Sequence, residues 1–251
     1  MNSSEIESAS GSKERCELLR SALLSYYITF VNEHMPDTYV LCFSEHEKED
    51  TDGLLSMWRG YGGNGKGVAI VLDTAKIPVD EQSPLFIISD VHYGTPEQRR
   101  EWVWQRYILQ FAEIIKKSAL PNDKLYIGSY RFFERIKLFA LFTKHRGFRE
   151  EREWRAVYMR DRDHAKKLAG MLGYWIGPRG TEPKLKLKIE ALPGLPGEAV
   201  TLSQLIDRVI LGPSFLSSPL ARSTVLRMLD VVGKPELKDR IKSSTIPFRA
   251  P

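Results

Sequence analysis

The sequence predicts an α+β protein, with a mixed, mainly antiparallel sheet flanked by helices. Three observations predict it. Segments with apolar residues at helical spacing, such as 16–31 and 95–120, stand apart from segments that alternate or run β-branched, such as 38–43, 65–73 and 152–159. The two kinds follow one another without the regular strand–helix–strand rhythm of a doubly wound parallel sheet. Of the 251 residues, 42% are apolar and 27% charged, which is enough apolar side chain for a folded core.

The elements follow in order. Residues 1–12 are Ser-rich and polar, lack the apolar stretch of a secretory signal, and read as a disordered tail before a single domain over 13–251. Leu19, Leu23, Tyr26, Tyr27, Phe30 and Val31 mark one face of a helix, which Pro36 ends. TYVLCFS reads as a buried strand from Thr38 to Phe43. After the charged loop SEHEKEDTDG, the segment LLSMWRGYG is a short helix, started by Asp50 or Asp52 and stopped by Gly62 and Gly63. GKGVAIVLD is a glycine turn into a strand, and PLFIISDVHYG is one long strand or two joined near Ser89.

The best-marked helix covers 95–120. Thr95 is its cap, Pro96 takes the first helical position, Gln98 completes a capping box, and Trp102, Tyr107, Phe111, Ile114 and Ile115 form its apolar face. A second helix runs from Ser129 to Thr143. The second half of KHRGFREEREWRAVYM alternates as a strand, and HAKKLAGMLG contains a helical turn. KLKLKIEAL alternates as an exposed or edge strand whose lysines oppose edge pairing. DRVILGP is a buried strand entering a Gly-Pro turn, SPLARSTVLRMLDVVG a helix with a glycine stop, and KSSTIPFR a last short strand.

Charge and composition narrow the function. A net charge of +5 favours polyanion partners such as nucleic acid or a dinucleotide, although the interleaving of acids and bases is also that of a solvated surface. No apolar run approaches the roughly 18–20 residues needed to span a bilayer, so no membrane partner is expected and the protein is placed in the cytoplasm. Cys16 and Cys42 lack CxxC spacing and are too few for a disulfide framework or for a zinc site of about four ligands; both read as small core residues.

The segment FREEREWRAV carries the leading candidate site. On a strand, Glu151, Glu153 and Arg155 share one face, and Arg152, Trp154 and Ala156 the other. Carboxylates two residues apart stand about 7 Å from each other. Such a pair can polarise a sugar hydroxyl, hold a cation or act as a general base, and crowding raises one of its pKa values. Arg155 beside them holds Glu153 ionised and aimed. The same residues also fit a salt-bridged strand face with Trp154 anchoring the core. Trp58 and Tyr61, three apart on a helix with Arg59 between them, form either a stacking surface for a base or nicotinamide, or part of the core. In KHRGF, Lys144 is a candidate substrate-binding cation, and His145 is either an acid–base group or part of a basic loop. GGNGKG has neither the Ser or Thr after its lysine nor the helix start of a phosphate loop, so it reads as a turn. Ser243, Ser244 and Arg249 of the terminal SSTIPFR can line a site at a sheet end.

These segments occur in the order FSE, MWRGY, GKGVAIVLD, VHYG, KHRGFREEREWR, VILGP and SSTIPFR. Over about residues 38–249 that order resembles the uncharacterised, mainly bacterial family called domain of unknown function 2971. The resemblance implies a soluble, intracellular protein of undefined biochemistry. Family members usually begin with an arginine-bearing aromatic strand, a helix and a second strand ending in an Asn-Asp-Pro turn. Here only a Ser-rich tail and the helix 16–31 precede TYVLCFS, so the chain is N-terminally short or divergent against that pattern.

A more distant likeness is to split-sheet ADP-ribosyltransferases, which bind NAD in a cleft. It implies a nucleotide-handling enzyme with NAD as substrate. Glu153 or Glu151 would take the late glutamate position, holding the nicotinamide ribose 2′-hydroxyl and stabilising an oxocarbenium-like transition state. Ser44 and Tyr61 are the candidates for the middle-strand role, and the first-strand arginine has no match. The expected site is therefore Glu153 and Glu151 as catalytic acids, with Ser44, Trp58, Arg59, Tyr61, Lys144 and Arg155 on the substrate. The alternative is a non-catalytic nucleic-acid- or protein-binding module of bacterial defence or stress response, motivated by the basic balance and the KLKLK strand. A third reading gives the motifs a purely structural role.

Overall fold

Helices and short strands mix along the chain in the α+β manner. A computed structural model describes residues 7, 10–76, 85–118, 120–178, 180–187, 201–214 and 219–248. The chain divides into two units. The first comprises Met1–Phe43, Leu85–Lys166 and Tyr174–Lys184; the second comprises Ser44–Pro84, Lys167–Gly173 and Leu185–Pro251. Most of the expected tail, residues 188–192 of the expected lysine strand and Arg249 lie outside the described residues.

In the first unit, helix α1 (Lys13–Thr29) starts where the Ser12 side chain accepts a hydrogen bond from the Arg15 N–H, and it continues through a wider turn, Phe30–His34. The capping box expected at Thr95 and Gln98 is present and opens the helix Pro96–Val103. A π turn, Trp104–Ile108, joins that helix to Leu109–Lys117, so the long expected helix carries a bulge near its middle. The next helix spans Leu125–Leu141, one turn earlier than the spacing suggests. A 3-10 turn at Asn122–Lys124 runs straight into it, and past Phe142 the chain is drawn into a strand. Leu19, Ile115 and Leu125 bury together with Phe111 and Leu120, and the Ser129 hydroxyl inside this interface donates to the Leu19 carbonyl at 3.2 Å.

Strands β1 (Thr38–Ser44), β3 (Ile87–Asp90) and β6 (Glu153–Met159) form a sheet in the order β1-β6-β3, with β6 central. Strand β3 runs antiparallel to β6, pairing Ile87 with Val157 and Ser89 with Arg155. Val157 and Met159 pack with Phe142, Leu138, Leu141 and Ile87. The β3 segment breaks at Val91, whose N–H donates to the Glu153 carbonyl, and resumes as β4 (His92–Gly94), which pairs in parallel with β5 (Thr143–His145). PLFIISDVHYG is thus two strands.

Two expectations need correction here. TYVLCFS is not a buried strand, because Val40, Leu41 and Phe43 are exposed, and Cys42 is exposed rather than a core residue. The reason is topological. An unbroken apolar run is covered on both faces only at the centre of a sheet, and β1 is an edge strand. The hairpin β7 (Leu172–Gly177) and β8 (Gly180–Leu185) was not expected, and the lysine segment enters it only at Lys184 and Leu185.

The second unit holds the sheet β10-β9-β2, formed by β2 (Val68–Leu72), β9 (Ile206–Leu211) and β10 (Ile241–Ser243). Strand β2 is antiparallel to β9, and β10 is parallel to it. Ile206, Leu211, Leu229, Leu237 and Ile241 form its core beneath the helix Pro219–Val231. The turn before β2 locks onto the end of β9. Gly67 N–H donates to Gly62 O, Gly212 N–H to Gly67 O, and Ser214 N–H to Gly65 O. The helix Leu55–Gly60 has no side-chain cap, contrary to expectation. Asp50 instead accepts from the Asp52 and Gly53 N–H groups, and Asp52 holds the Thr245 hydroxyl, so both acids shape the loop. Among the described residues no helix is long and apolar enough to cross a membrane.

Candidate functional site

Arg152 decides the geometry of the FREEREWR segment. The 3-10 run Arg146–Glu151 ends on it, and Arg152 adopts the left-handed conformation with φ of 42° before β6 begins at Glu153. A non-glycine residue held there costs roughly 1–3 kcal/mol and persists where its surroundings enforce it. Glu151 therefore does not stand on the strand. The expected shared strand face holds for Glu153 and Arg155 only.

The two carboxylates are nevertheless brought to one point, by a lysine from another strand. Lys144 of β5 places its Nζ 2.5 Å from Glu151 Oε2 and 3.0 Å from Glu153 Oε2. Arg155 folds back on the same strand face and donates from Nε to Glu153 Oε1 at 2.9 Å and from Nη2 to Oε2 at 3.2 Å, while its Nη1 donates to the Leu141 carbonyl. The backbone N–H of Glu153 donates to the Tyr93 hydroxyl oxygen at 2.8 Å. Lys144 also lies over the Phe148 ring, 4.7 Å from its centroid.

Glu153 is only 5% exposed. Burial opposes its ionisation, but the hydrogen bonds from Arg155, Cys42 and Lys144 outweigh that and pull its pKa down to about 2. Although Cys42 is exposed as a residue, local desolvation of its thiol and the hydrogen bond to the Glu153 carboxylate push it the other way, to about 11, so it is a protonated hydrogen-bonding group rather than a nucleophile. Burial works against the charge of Lys144, yet its hydrogen bonds to Glu151 and Glu153 raise its pKa. Glu153 is thus a fixed anion held between the Lys144 and Arg155 cations. A carboxylate with a pKa near 2 cannot shuttle protons at neutral pH, because it stays ionised; it can accept hydrogen bonds and stabilise positive charge.

Of the other expected residues, Ser44, Trp58, Arg59 and Tyr61 belong to the second unit, whereas Lys144, Glu151, Glu153 and Arg155 belong to the first. Trp58 is 4% exposed, donates from Nε1 to Asp52 O at 2.8 Å, and packs so tightly that a side chain at Gly62 would press its ring. Its role in the unit is core packing. Tyr61 is 68% exposed just past the same helix, and Arg59 is exposed on it. His145 is exposed, with Nδ1 accepting from the Gly147 N–H at 3.1 Å. Ser244 is fully buried.

Sequence reasoning missed Cys42, Tyr93 and Phe148 as members of the first unit's network. Each lies in a segment singled out for other reasons, YVLCFS, VHYG and KHRGF, but nothing local says that these segments meet. Among the described residues no group of three or more His, Cys, Asp or Glu side chains could hold a metal ion.

No curated protein and no solved structure matches the chain. Residues 57–156, from the helix that carries Trp58 to the middle of β6, match the family described as Protein of unknown function (DUF2971), the family that the order of motifs resembles.

Proposed function

We propose that the chain is a nucleotide-handling enzyme that cleaves the nicotinamide glycosidic bond of NAD and transfers ADP-ribose, with the Lys144–Glu151–Glu153–Arg155 network at its centre. The observation that carries this reading is the buried Glu153 carboxylate, held ionised with a pKa of about 2 beside a second carboxylate on the same lysine. When the bond from ribose C1′ to the nicotinamide nitrogen breaks, nicotinamide leaves with the electron pair and positive charge grows on the ribose. A fixed anion stabilises that charge without needing a proton. Lys144 is closer to Glu151 than to Glu153. On ligand entry it stays with Glu151, and Glu153 Oε2 accepts the ribose 2′-hydroxyl in its place. Arg155 keeps its bond to Oε1 and fixes the carboxylate plane. The reading rests on the first unit's residues Lys144, Glu151, Glu153 and Arg155 alone.

The test is nicotinamide release from NAD in the presence of cell extract. Release is expected from the wild-type protein and a loss of about 10²–10³-fold from Glu153→Gln, the size of removing one preorganised electrostatic group. Undetectable release, or release unchanged in the variant, rejects the reading. A second reading, non-catalytic binding of nucleic acid, is favoured by one observation: both Glu153 oxygens are already hydrogen-bonded, and exposed Arg146, Arg149 and Phe148 lie on the segment that leads into its strand. It takes over if nicotinamide release is absent and RNA or DNA is bound with an affinity that falls steeply with salt.

A further inference from the structure

The net charge of the chain is not spread evenly along it. Residues 160–188 contain eight lysines and arginines against three acids, and over the rest of the chain bases and acids are equal in number, so the whole net charge of +5 falls in this stretch. Its three acids are engaged. Asp163 is buried and accepts from the Tyr158 hydroxyl at 2.9 Å, Asp161 stands 3.6 Å from the buried Lys137 ammonium, and Glu182 pairs with Lys184 at 2.8 Å. Charge of one sign gathered in one place raises the local concentration of oppositely charged partners.

The hairpin β7–β8 lies within this stretch, and β7 carries Tyr174, Trp175 and Ile176 at 70%, 59% and 80% exposure. Alternate residues of a strand face opposite ways, so both faces of β7 are uncovered. Large apolar side chains grouped in water in this way mark a docking surface. The two rings are placed by their surroundings. Trp175 lies along the backbone of Gly177, where a β-carbon would stand 2.6 Å from its Nε1. Tyr174 lies beside Tyr39 and Arg160: burial and Asp37 raise the Tyr39 pKa, Arg160 opposes the rise, and the Tyr174 phenol adds to it. Tyr39 in turn packs on Tyr158, with ring centroids 6.1 Å apart. Arg160 pairs with Asp37 at 3.1 Å, an exposed ion pair weak enough for a phosphate to displace. Tyr174, Trp175, Arg160 and Lys184 all belong to the first unit.

We propose that the β7–β8 hairpin is a binding platform for single-stranded nucleic acid, with Tyr174 and Trp175 stacking on unpaired bases and Arg160 and Lys184 holding phosphates. Exposed aromatic rings beside basic side chains are the chemistry that such strands require, because every unpaired base has a free π face and every link a negative charge. The same apolar residues could meet a lipid surface, but the sequence joining the two strands is Pro178-Arg179, and a charged residue there opposes entry into hydrocarbon. This site does not depend on NAD cleavage at the Lys144 network, and it is separate from the Arg146–Phe148–Arg149 segment.

Titrating the full chain into fluorescein-labelled oligonucleotides of mixed sequence, as single-stranded RNA, single-stranded DNA and duplex DNA, tests it by fluorescence anisotropy. Saturable binding of the single strands is expected, falling steeply with salt and weaker for the duplex, whose bases are already stacked. Trp175→Ala and Tyr174→Ala should each weaken it about fivefold or more, and Trp175→Phe, which keeps a ring, should lose less. Tighter binding of RNA or of DNA names the strand, and either result or equality upholds the site. No binding at low salt, equal binding of the duplex, or binding unchanged in the double variant Tyr174→Ala/Trp175→Ala overturns it; the last outcome moves nucleic-acid binding to the Arg146–Arg149 segment. Vesicles of phosphatidylserine and phosphatidylcholine that bind while the oligonucleotides do not overturn it in favour of a membrane surface. Nicotinamide release should be unchanged in Trp175→Ala, so failure of this site and failure of the NAD reading are told apart. The comparison of single strand with duplex uses the wild-type chain and decides the matter even if a variant does not fold.

Discussion

Glu153 accepts from Arg155 and Lys144 through both of its oxygens while hardly touching solvent, and this makes it a pH-sensitive point in the fold. Its native pKa of about 2 lies below the ordinary 4.5 of a glutamate. Between those values the unfolded chain binds a proton that the native chain does not, so the stabilisation is fully present above pH 4.5 and is lost as the pH falls towards 2. Glu153→Gln should therefore be less stable than wild type at neutral pH, by about 3 kcal/mol if Lys144 and Arg155 are left as under-compensated cations. The difference should shrink on acidification through that window. Urea midpoints measured from pH 7 to pH 2 check this. A stability gap that stays constant with pH would mean that the carboxylate's charge is not what matters. The same variant has a separate readout in nicotinamide release, so loss of fold and loss of chemistry can be told apart.

Elements in this protein are held by backbone-to-backbone closures as much as by apolar packing. The glycine-rich turn ahead of β2 illustrates this. It fails as a phosphate loop because a strand, not a helix, follows it, and its carbonyls receive the N–H groups of Gly212 and Ser214 at the end of β9. At Gly212 a β-carbon would overlap the Gly65 carbonyl oxygen, which is backbone and cannot swing aside. Gly212→Ala should then cost about 2–3 kcal/mol, the upper part of the range for overpacking a tight site. Thermal unfolding of the variant checks this, and a change near zero would show that the turn can retreat freely. Gly170, next to whose β-carbon there is open space, is the matched control and should tolerate alanine.

At the scale of the molecule, each unit is assembled from three separate stretches of chain, so neither is a continuous segment that can be cut out. A chain that passes repeatedly from one unit to the other links their unfolding, and we expect one cooperative transition across residues 13–251. Tryptophan fluorescence and far-UV circular dichroism should then give coincident urea curves. Trp58 reports on the second unit and Trp102, Trp104, Trp154 and Trp175 on the first. Two resolved transitions would make the units independent domains.

The sequence by itself determined the α+β class, the capping box at Thr95 and the glycine turn before β2. Each of these is written in local steric and hydrogen-bonding preferences that act within a few residues. Only the tertiary structure decided that β1 is an edge and leaves Cys42 exposed, that left-handed Arg152 takes Glu151 off the strand, and that Lys144 gathers Glu151 and Glu153 from different elements. Those outcomes depend on which strands become neighbours, and neighbours far apart along the chain leave no mark in local spacing.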